Sequence, residues 1–265
     1  MDYFPQLSTG TSTQYPLKKS LTFRTITLTS EDGRVSKYAD GGWRSIQWEL
    51  QFAGLTSTEW TNLSNHFADA EGRLNSFPFL DGSDNLLLWS GDPSNSAWTV
   101  DPLLHLASGG ADPNGGTEGA GLQNSGTTWQ GISQTLAAPA NFTYCFSVFA
   151  RSSASAQMRL SINGNGQQLQ QQMAVGVDWR RYYVSGSLPG TDKLIHFGLQ
   201  IDQGNQVELF GLQAEPQMGA SRYKRTTSLC GVYAACRYDQ DQLILTSDRP
   251  ESYATTIRLI FRESA

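Results

Sequence analysis

Residues 43–81 read WRSIQWELQFAGLTSTEWTNLSNHFADAEGRLNSFPFLD, and this stretch decides the fold class. Ile46, Trp48, Leu50 and Phe52 alternate with Gln47, Glu49 and Gln51, the period of two that marks a strand with one buried face. Thr56-Ser57-Thr58-Glu59 has the spacing of a capping box, in which Thr56 accepts from free helix amides and Glu59 reaches back to the cap. Trp60, Leu63, Phe67 and Ala70 follow at steps of three and four, so the predicted helix has one apolar face, and Gly72 stops it. Leu74, Phe77 and Phe79 restart a strand, and Asp81-Gly82 turns the chain. The unit predicts a helix packed on an antiparallel sheet and contains nothing chemically reactive.

The same texture lies on either side of it. Residues 1–20 are polar with two prolines and predict an extended arm, with Tyr3, Phe4 and Tyr15 as residues that dock on a neighbouring molecule. Leu21, Phe23, Thr25 and Thr27 alternate as a strand, Glu31-Asp32-Gly33 is a turn, and Val35–Tyr38 is the return strand. From residue 86 to about 226 no stretch carries the cap and period of a helix. Short alternating runs there are split by Gly, Pro, Asn and Ser, the pattern of a two-sheet β-sandwich, a jelly roll. After Thr227 the first texture returns: Leu229–Tyr238, a turn at 239–241, and a last strand in which Ile257 and Leu259 alternate with Arg258 and Ile260. The expected fold is therefore mainly β: an antiparallel β-sandwich domain with one α-helix, plus an inserted jelly-roll β-sandwich. The expected domains are a discontinuous 1–85 with 229–265, and an insertion over 86–228.

Composition narrows the function. Charged residues make up 16% of the 265, the formal net charge is −5 and the pI about 5.2. That balance argues against a nucleic-acid partner, which calls for a basic face. No apolar run spans a bilayer, so no membrane insertion is expected. The N-terminus MDYFPQLSTG has an acid at position two and no apolar core, so no secretory signal is expected. Cys145, Cys230 and Cys236 fit no disulfide framework and no zinc spacing; a Cys230–Cys236 bridge stays open. His66, His105 and His196 belong to no HExxH, there is no nucleophile elbow and no Walker loop, and Gly115, Gly116, Gly119 and Gly121 lack the helix that phosphate cradling needs. No catalytic residue, metal site or cofactor is expected, and the chain is read as a non-enzyme.

Binding fits better. Aromatic faces on a sandwich stack on sugar rings while Asn and Gln amides hold hydroxyls. Trp129, Trp98, Trp179 and Tyr182 are the candidate carbohydrate-binding residues, although tryptophans are commonly core residues. For self-association the candidates are Tyr3, Phe4, Tyr15, Ile257 and Leu259.

Two resemblances add to this. YFPQLSTGTSTQYPL, WELQFAGLTSTEWTNLSNHFADAEGRLNSFPFLD and IRLIFRESA are similar to the distal tail proteins of tailed phages, and more closely to tail-tip proteins of prophages and gene transfer agents. That resemblance implies a virion component without catalytic residues: a homo-oligomeric ring, a hexamer in that family, joining the tail-tube protein to the baseplate hub protein. The ring contacts would be heterologous, at the 1–20 arm, the helix and the edge of the last strand. The second covers 86–227: NLLLWSGDPSNSAW, DPNGGTEGAGL, GISQTLAAPANFTYCFSVFAR, DWRRYYVSGSL and VELFGLQAEPQMGASRYKRTT resemble carbohydrate-binding-like jelly rolls. These recur in phage tail and tail-fibre proteins and imply a host cell-surface glycan as partner. In that pattern Trp98, Trp179, Gln213, Glu215 and Tyr223 are framework positions. The rival expectation is a free-standing carbohydrate-binding module or an accessory domain of a glycan-acting enzyme.

Overall fold

The computed structural model describes residues 2–164 and 166–263, with residues 41–43 described by their backbone alone. Met1, Asn165, Ser264, Ala265 and the Trp43 side chain, all within segments read above, lie outside the described residues. In chain order the elements are β1 (Leu17–Thr29), β2 (Val35–Leu55), the helix α1 (Ser57–Asp69), β3 (Phe77–Leu80), β4 (Thr99–Val100), β5 (Leu104–Gly110), β6 (Gly119–Asn124), β7 (Gln130–Ala137), β8 (Tyr144–Arg151), β9 (Ala156–Gly164), β10 (Gln167–Val175), β11 (Arg180–Gly186), β12 (Leu194–Ile201), β13 (Gln206–Glu215), β14 (Val232–Tyr238), β15 (Thr246–Arg249) and β16 (Ser252–Glu263). The protein is mainly β, with one helix among the described residues; β2 pairs antiparallel with β1 and β16, β16 with β14 and β15, and all neighbours in the other two sheets are antiparallel. The chain divides into two compact units: Met1–Leu7, Thr13–Phe79 and Val232–Ala265 form one, and Ser8–Ser12 with Leu80–Gly231 the other.

In the first unit a sheet runs in the order β1-β2-β16-β14-β3, with β15 added on β16. Trp48 pairs with Leu259 and Leu50 with Ile257, so the alternation read in the sequence places these side chains in one core. The helix is set as its sequence demands: Thr56 caps it, its hydroxyl accepts from the Glu59 amide, and Glu59 accepts from the Thr56 amide at 2.9 Å. Leu63 is fully buried, which stabilises by about 1.5–3 kcal/mol. After Asp69 the chain leaves the helix through Glu71 and Gly72, both at positive φ. Glycine suits the second position, because a Cβ there would stand 2.9 Å from the Asp241 carboxylate.

Several expectations for this unit need correction. Phe4 is no docking residue: it is 1% exposed and sits among Phe52, His66, Phe77, Phe79 and Tyr238 at centroid distances of 5.5–6.5 Å. Ile257 and Leu259 are fully buried on the core face of β16. The last strand has no free edge in the sheet either, since β2 and β14 flank it. Of the proposed contact residues Tyr15 is 74% exposed and Tyr3 half-buried. Leu74 is exposed as well, and the strand after the helix begins only at Phe77. The return strand expected at Val35–Tyr38 is instead the start of a 21-residue strand, β2. β1 pairs only with β2 among the described residues, so its other edge is open. The hairpin they form exposes Leu21, Phe23, Ile26, Leu28, Val35 and Tyr38.

The second unit is a sandwich of two five-stranded sheets, β10-β9-β12-β7-β4 and β11-β8-β13-β6-β5. Inward residues of β8 meet those of β12, with the Tyr144 and Phe146 rings each 5.7 Å from Phe197. Met158, Leu160, Ile162, Ile195, Leu199, Ile132 and Leu209 complete an apolar interior.

Candidate carbohydrate-binding face

A sandwich has two outer faces, and in this one they differ. Part of the outer face of the β8–β13 sheet is covered by the chain's own segment 216–226. Gln213 accepts from the Lys224 amide at 2.7 Å, and buried Glu215 accepts from the Ser221 amide at 2.9 Å and from Lys224 Nζ at 3.1 Å. Tyr223 lays its ring 5.1 Å from Phe210 and close over Gly211, whose positive φ makes room at a bulge in β13. Gln213, Glu215 and Tyr223 thus hold framework, as the resemblance implied.

The outer face of the β9–β12 sheet carries no such cover among the described residues. Cross-strand register orders its outward positions into three rows. Gln172, Arg159, Gln200 and Gly131 form one; Gln170, Ser161, Gly198, Ser133 and Thr99 the next; Gln168, Asn163, His196 and Thr135 the third. Amides and hydroxyls dominate, and several are pre-set by their neighbours. His196 Nδ1 lies 2.7 Å from Thr135 Oγ1, and Asn163 donates to Ser161 Oγ at 3.1 Å. The two glycines keep the middle of the face low. At Gly131 a Cβ would meet the Leu199 carbonyl oxygen at 2.0 Å, so only glycine permits the close pairing of β7 with β12.

Trp129 stands at the end of this face, just before β7, half-buried. Arg159 lies over its ring with the guanidinium carbon 3.6 Å from the centroid. The other three candidate sugar-stacking residues are elsewhere. Trp98 is buried and donates its indole N–H to the Trp89 carbonyl at 3.1 Å. Trp179 stacks with Arg151 at 5.0 Å, and Arg151 pairs with Glu208 on the covered sheet. Tyr182 sits opposite Val148 on the edge strand β11. The structure therefore brings only Trp129 to the open face and adds Arg159, Gln172, Gln200, Ser161, Asn163 and His196. The signal for these was present as alternating polar positions in three strands, but pairing order was needed to join them.

Other candidate chemistry resolves into structure. His66 is buried, 2.8 Å from the Tyr238 hydroxyl, and burial holds its pKa below the ordinary value. Asp112 accepts from the amides of Asn114, Gly116 and Glu118, bonds that hold its carboxyl below the usual range and shape the glycine-rich loop. Gly119 and Gly121 belong to strand β6. None of the three cysteines is in a disulfide. Among the described residues no group of three or more His, Cys, Asp or Glu is placed to hold a metal ion, and no helix is long and apolar enough to cross a membrane. A cleft of about 630 Å³ in the first unit is lined by Tyr15, Asp239, Asp241 and Ile244, with Arg73 3.8 Å from both aspartates.

No family model matches the chain, and no curated protein matches it. Solved structures similar to about half of it include the C-terminal family 22 carbohydrate binding module of Clostridium thermocellum Xyn10B. That module is 20% identical, with 54% of this chain and 98% of that one covered and a TM-score of 0.43. The CBM22-1 xylan-binding domain of Paenibacillus barcinonensis Xyn10C is 18% identical over 54% of this chain and 99% of its own, at 0.41. The enzymatically active domain of tailspike protein 4 from bacteriophage CBA120 is 13% identical over 52% of this chain, at 0.42; the match spans only 22% of that chain. With TM-scores below 0.5, these likenesses settle no ligand, and the sandwich stands on its own strand pairing.

Proposed function

We propose that the chain is a non-catalytic glycan-binding protein whose binding surface is the open outer face of the β9–β12 sheet. The observation that carries this reading is the asymmetry of the sandwich. One outer face is packed in part by residues 216–226, over Phe210, Gly211, Gln213 and Glu215, while the other presents three rows of amides and hydroxyls with an indole at one end. Such groups satisfy sugar hydroxyls as donors and acceptors, and the low glycine floor leaves room for a ring. Screening the full-length chain on a glycan array tests it. Binding weakened several-fold by Gln200→Ala or His196→Ala, with Tyr183→Ala on the other sheet neutral, supports the assignment; no glycan bound at millimolar concentration removes it.

A second reading concerns the first unit. The resemblance to tail-tip ring proteins implies assembly with tail-tube and hub proteins, and one observation favours self-association: β1 is an open edge strand carrying exposed Leu21 and Phe23. Long apolar edges are templates for pairing with another chain. In this reading the sandwich is the adhesive part of a phage-like tail tip. Light scattering across a concentration series tests it: an oligomer abolished by Leu21→Ser with Phe23→Ser is expected, and an oligomer indifferent to both substitutions places the contact elsewhere.

A further inference from the structure

The open face is chemically lopsided in a way that names its ligand class. Its three rows hold amides, hydroxyls, glycines, one imidazole and one guanidinium, and no carboxylate among the described residues. Two carboxylates that flank its strands accept from backbone amides. Asp101 accepts from the Gly131 amide at 2.7 Å, and Asp202 from the Gln203 amide at 2.8 Å. The one charged side chain of the face is thus a guanidinium, in a chain whose formal net charge is −5.

Arg159 differs from the ion-paired cations of the sandwich and, unlike exposed Arg180 and Arg222, which also lack a carboxylate partner among the described residues, it is stacked on an indole. Arg151 is paired with Glu208, Lys224 with Glu215 and Arg225 with Glu118. Arg159 has no carboxylate within ion-pair distance among the described residues. Its Nε lies 3.4 Å from Gln172 Oε1, a long contact, while Gln172 donates in turn to Gln157 Oε1 at 3.3 Å. Stacking on Trp129 at 3.6 Å fixes the plane of the guanidinium and limits its freedom, leaving the terminal nitrogens for an incoming partner. A planar fork held in this way matches a carboxylate with two parallel hydrogen bonds. It also covers the indole face a neutral sugar ring would stack on.

Resting on the glycan-binding reading above, we propose that the open face selects a carboxylate-bearing saccharide, a uronic or sialic acid unit, with Arg159 as the carboxylate receptor and Trp129 as the residue that positions it. The amide rows on β10, β9 and β12 then hold the hydroxyls of the same or adjoining units.

The test uses the full-length chain and three probes: oligogalacturonate, the same oligomer with its carboxyls methyl-esterified, and neutral xylohexaose. A glycan array carrying sialylated, uronate-bearing, sulfated and neutral saccharides broadens it. The expected result is binding confined to carboxylated saccharides and lost on esterification. Arg159→Gln should weaken it about ten- to a hundred-fold, the range for a lost charge-assisted hydrogen bond. Arg159→Lys, which keeps the charge and loses the fork, should fall between. Circular dichroism of both variants checks that the sandwich is intact. Neutral glycans bound equally well, with Arg159→Gln without effect, would overturn the carboxylate assignment and leave glycan binding standing. Equal binding of sulfated glycans that lack carboxylates would overturn it in favour of general anion attraction. No glycan bound at all would remove both readings together.

Discussion

Phe4→Ala tests whether the N-terminal segment is part of the first unit's own core. The sequence suggested an arm for docking on a neighbour, but the structure places Phe4 at 1% exposure among five aromatic rings, with its amide donating to the Pro78 carbonyl at 2.9 Å. Truncation removes a ring of the size that buries roughly 150–250 Å², worth about 4–6 kcal/mol at ~25 cal/mol per Å². Partial collapse of the site trims this, and measured Phe→Ala changes in cores cluster at about 3–5 kcal/mol. The assay is native-state hydrogen exchange, because a two-unit chain has no single unfolding free energy. Peptides over residues 46–55 should exchange roughly a hundred- to several thousand-fold faster, at ~1.4 kcal/mol per tenfold. The peptide over 144–151, in the other unit, serves as the internal reference. A change under threefold in 46–55 at micromolar protein would refute the placement and return Phe4 to a neighbouring molecule.

Four further outcomes follow from the same coordinates. Thr56→Ala removes half of the capping box and should destabilise the first unit by about 1 kcal/mol, read as faster exchange in 57–69. Gly131→Ala drives a Cβ into the Leu199 carbonyl and should cost the sandwich about 1–3 kcal/mol or more by thermal unfolding, with neutrality at that position contradicting the β7–β12 register. Burial, with Glu215 nearby, pushes the Cys145 thiol up to about 12, so iodoacetamide at pH 8 should label half-buried Cys230 well before Cys145 by mass spectrometry. His66 is held neutral by burial, its folded pKa below the ordinary 6.5, so below that pH the unfolded chain binds a proton the folded site refuses. First-unit stability should therefore fall as pH drops from about 6.5 towards the folded pKa, and His66→Gln should flatten that slope in urea titrations.

The parts of the fold legible in the sequence were those with a local signature. The cap, period and stop of α1 specify themselves within 17 residues, 56–72, and the alternation of 46–52 states which face is buried. What stayed hidden is what only long-range pairing decides. Ile257 and Leu259 read equally well as an exposed edge or a central strand, because alternation tells which side chains share a face and not which strand lies alongside. Phe4 lies in a stretch with no periodicity, so nothing local shows that it plugs a core with rings as distant in the chain as Phe52 and Tyr238. The candidate face suffered most. Trp98 stands beside Ala97 and Trp129 between Thr128 and Gln130, a weak difference in flanks, yet one is core and the other marks the open face. Arg159, Gln200 and Gly131 become neighbours only when β9, β12 and β7 are placed side by side.

The central claim is that glycan is held on the open β9–β12 face, and hydrogen exchange of the full-length chain with its best-bound saccharide tests it most directly. The account predicts slowed exchange in 157–163 and 195–201, centred on Arg159 and Gln200, with 145–151 and 206–215 unchanged. Protection of 145–151 and 206–215 instead, with 157–163 and 195–201 unaltered, would contradict it.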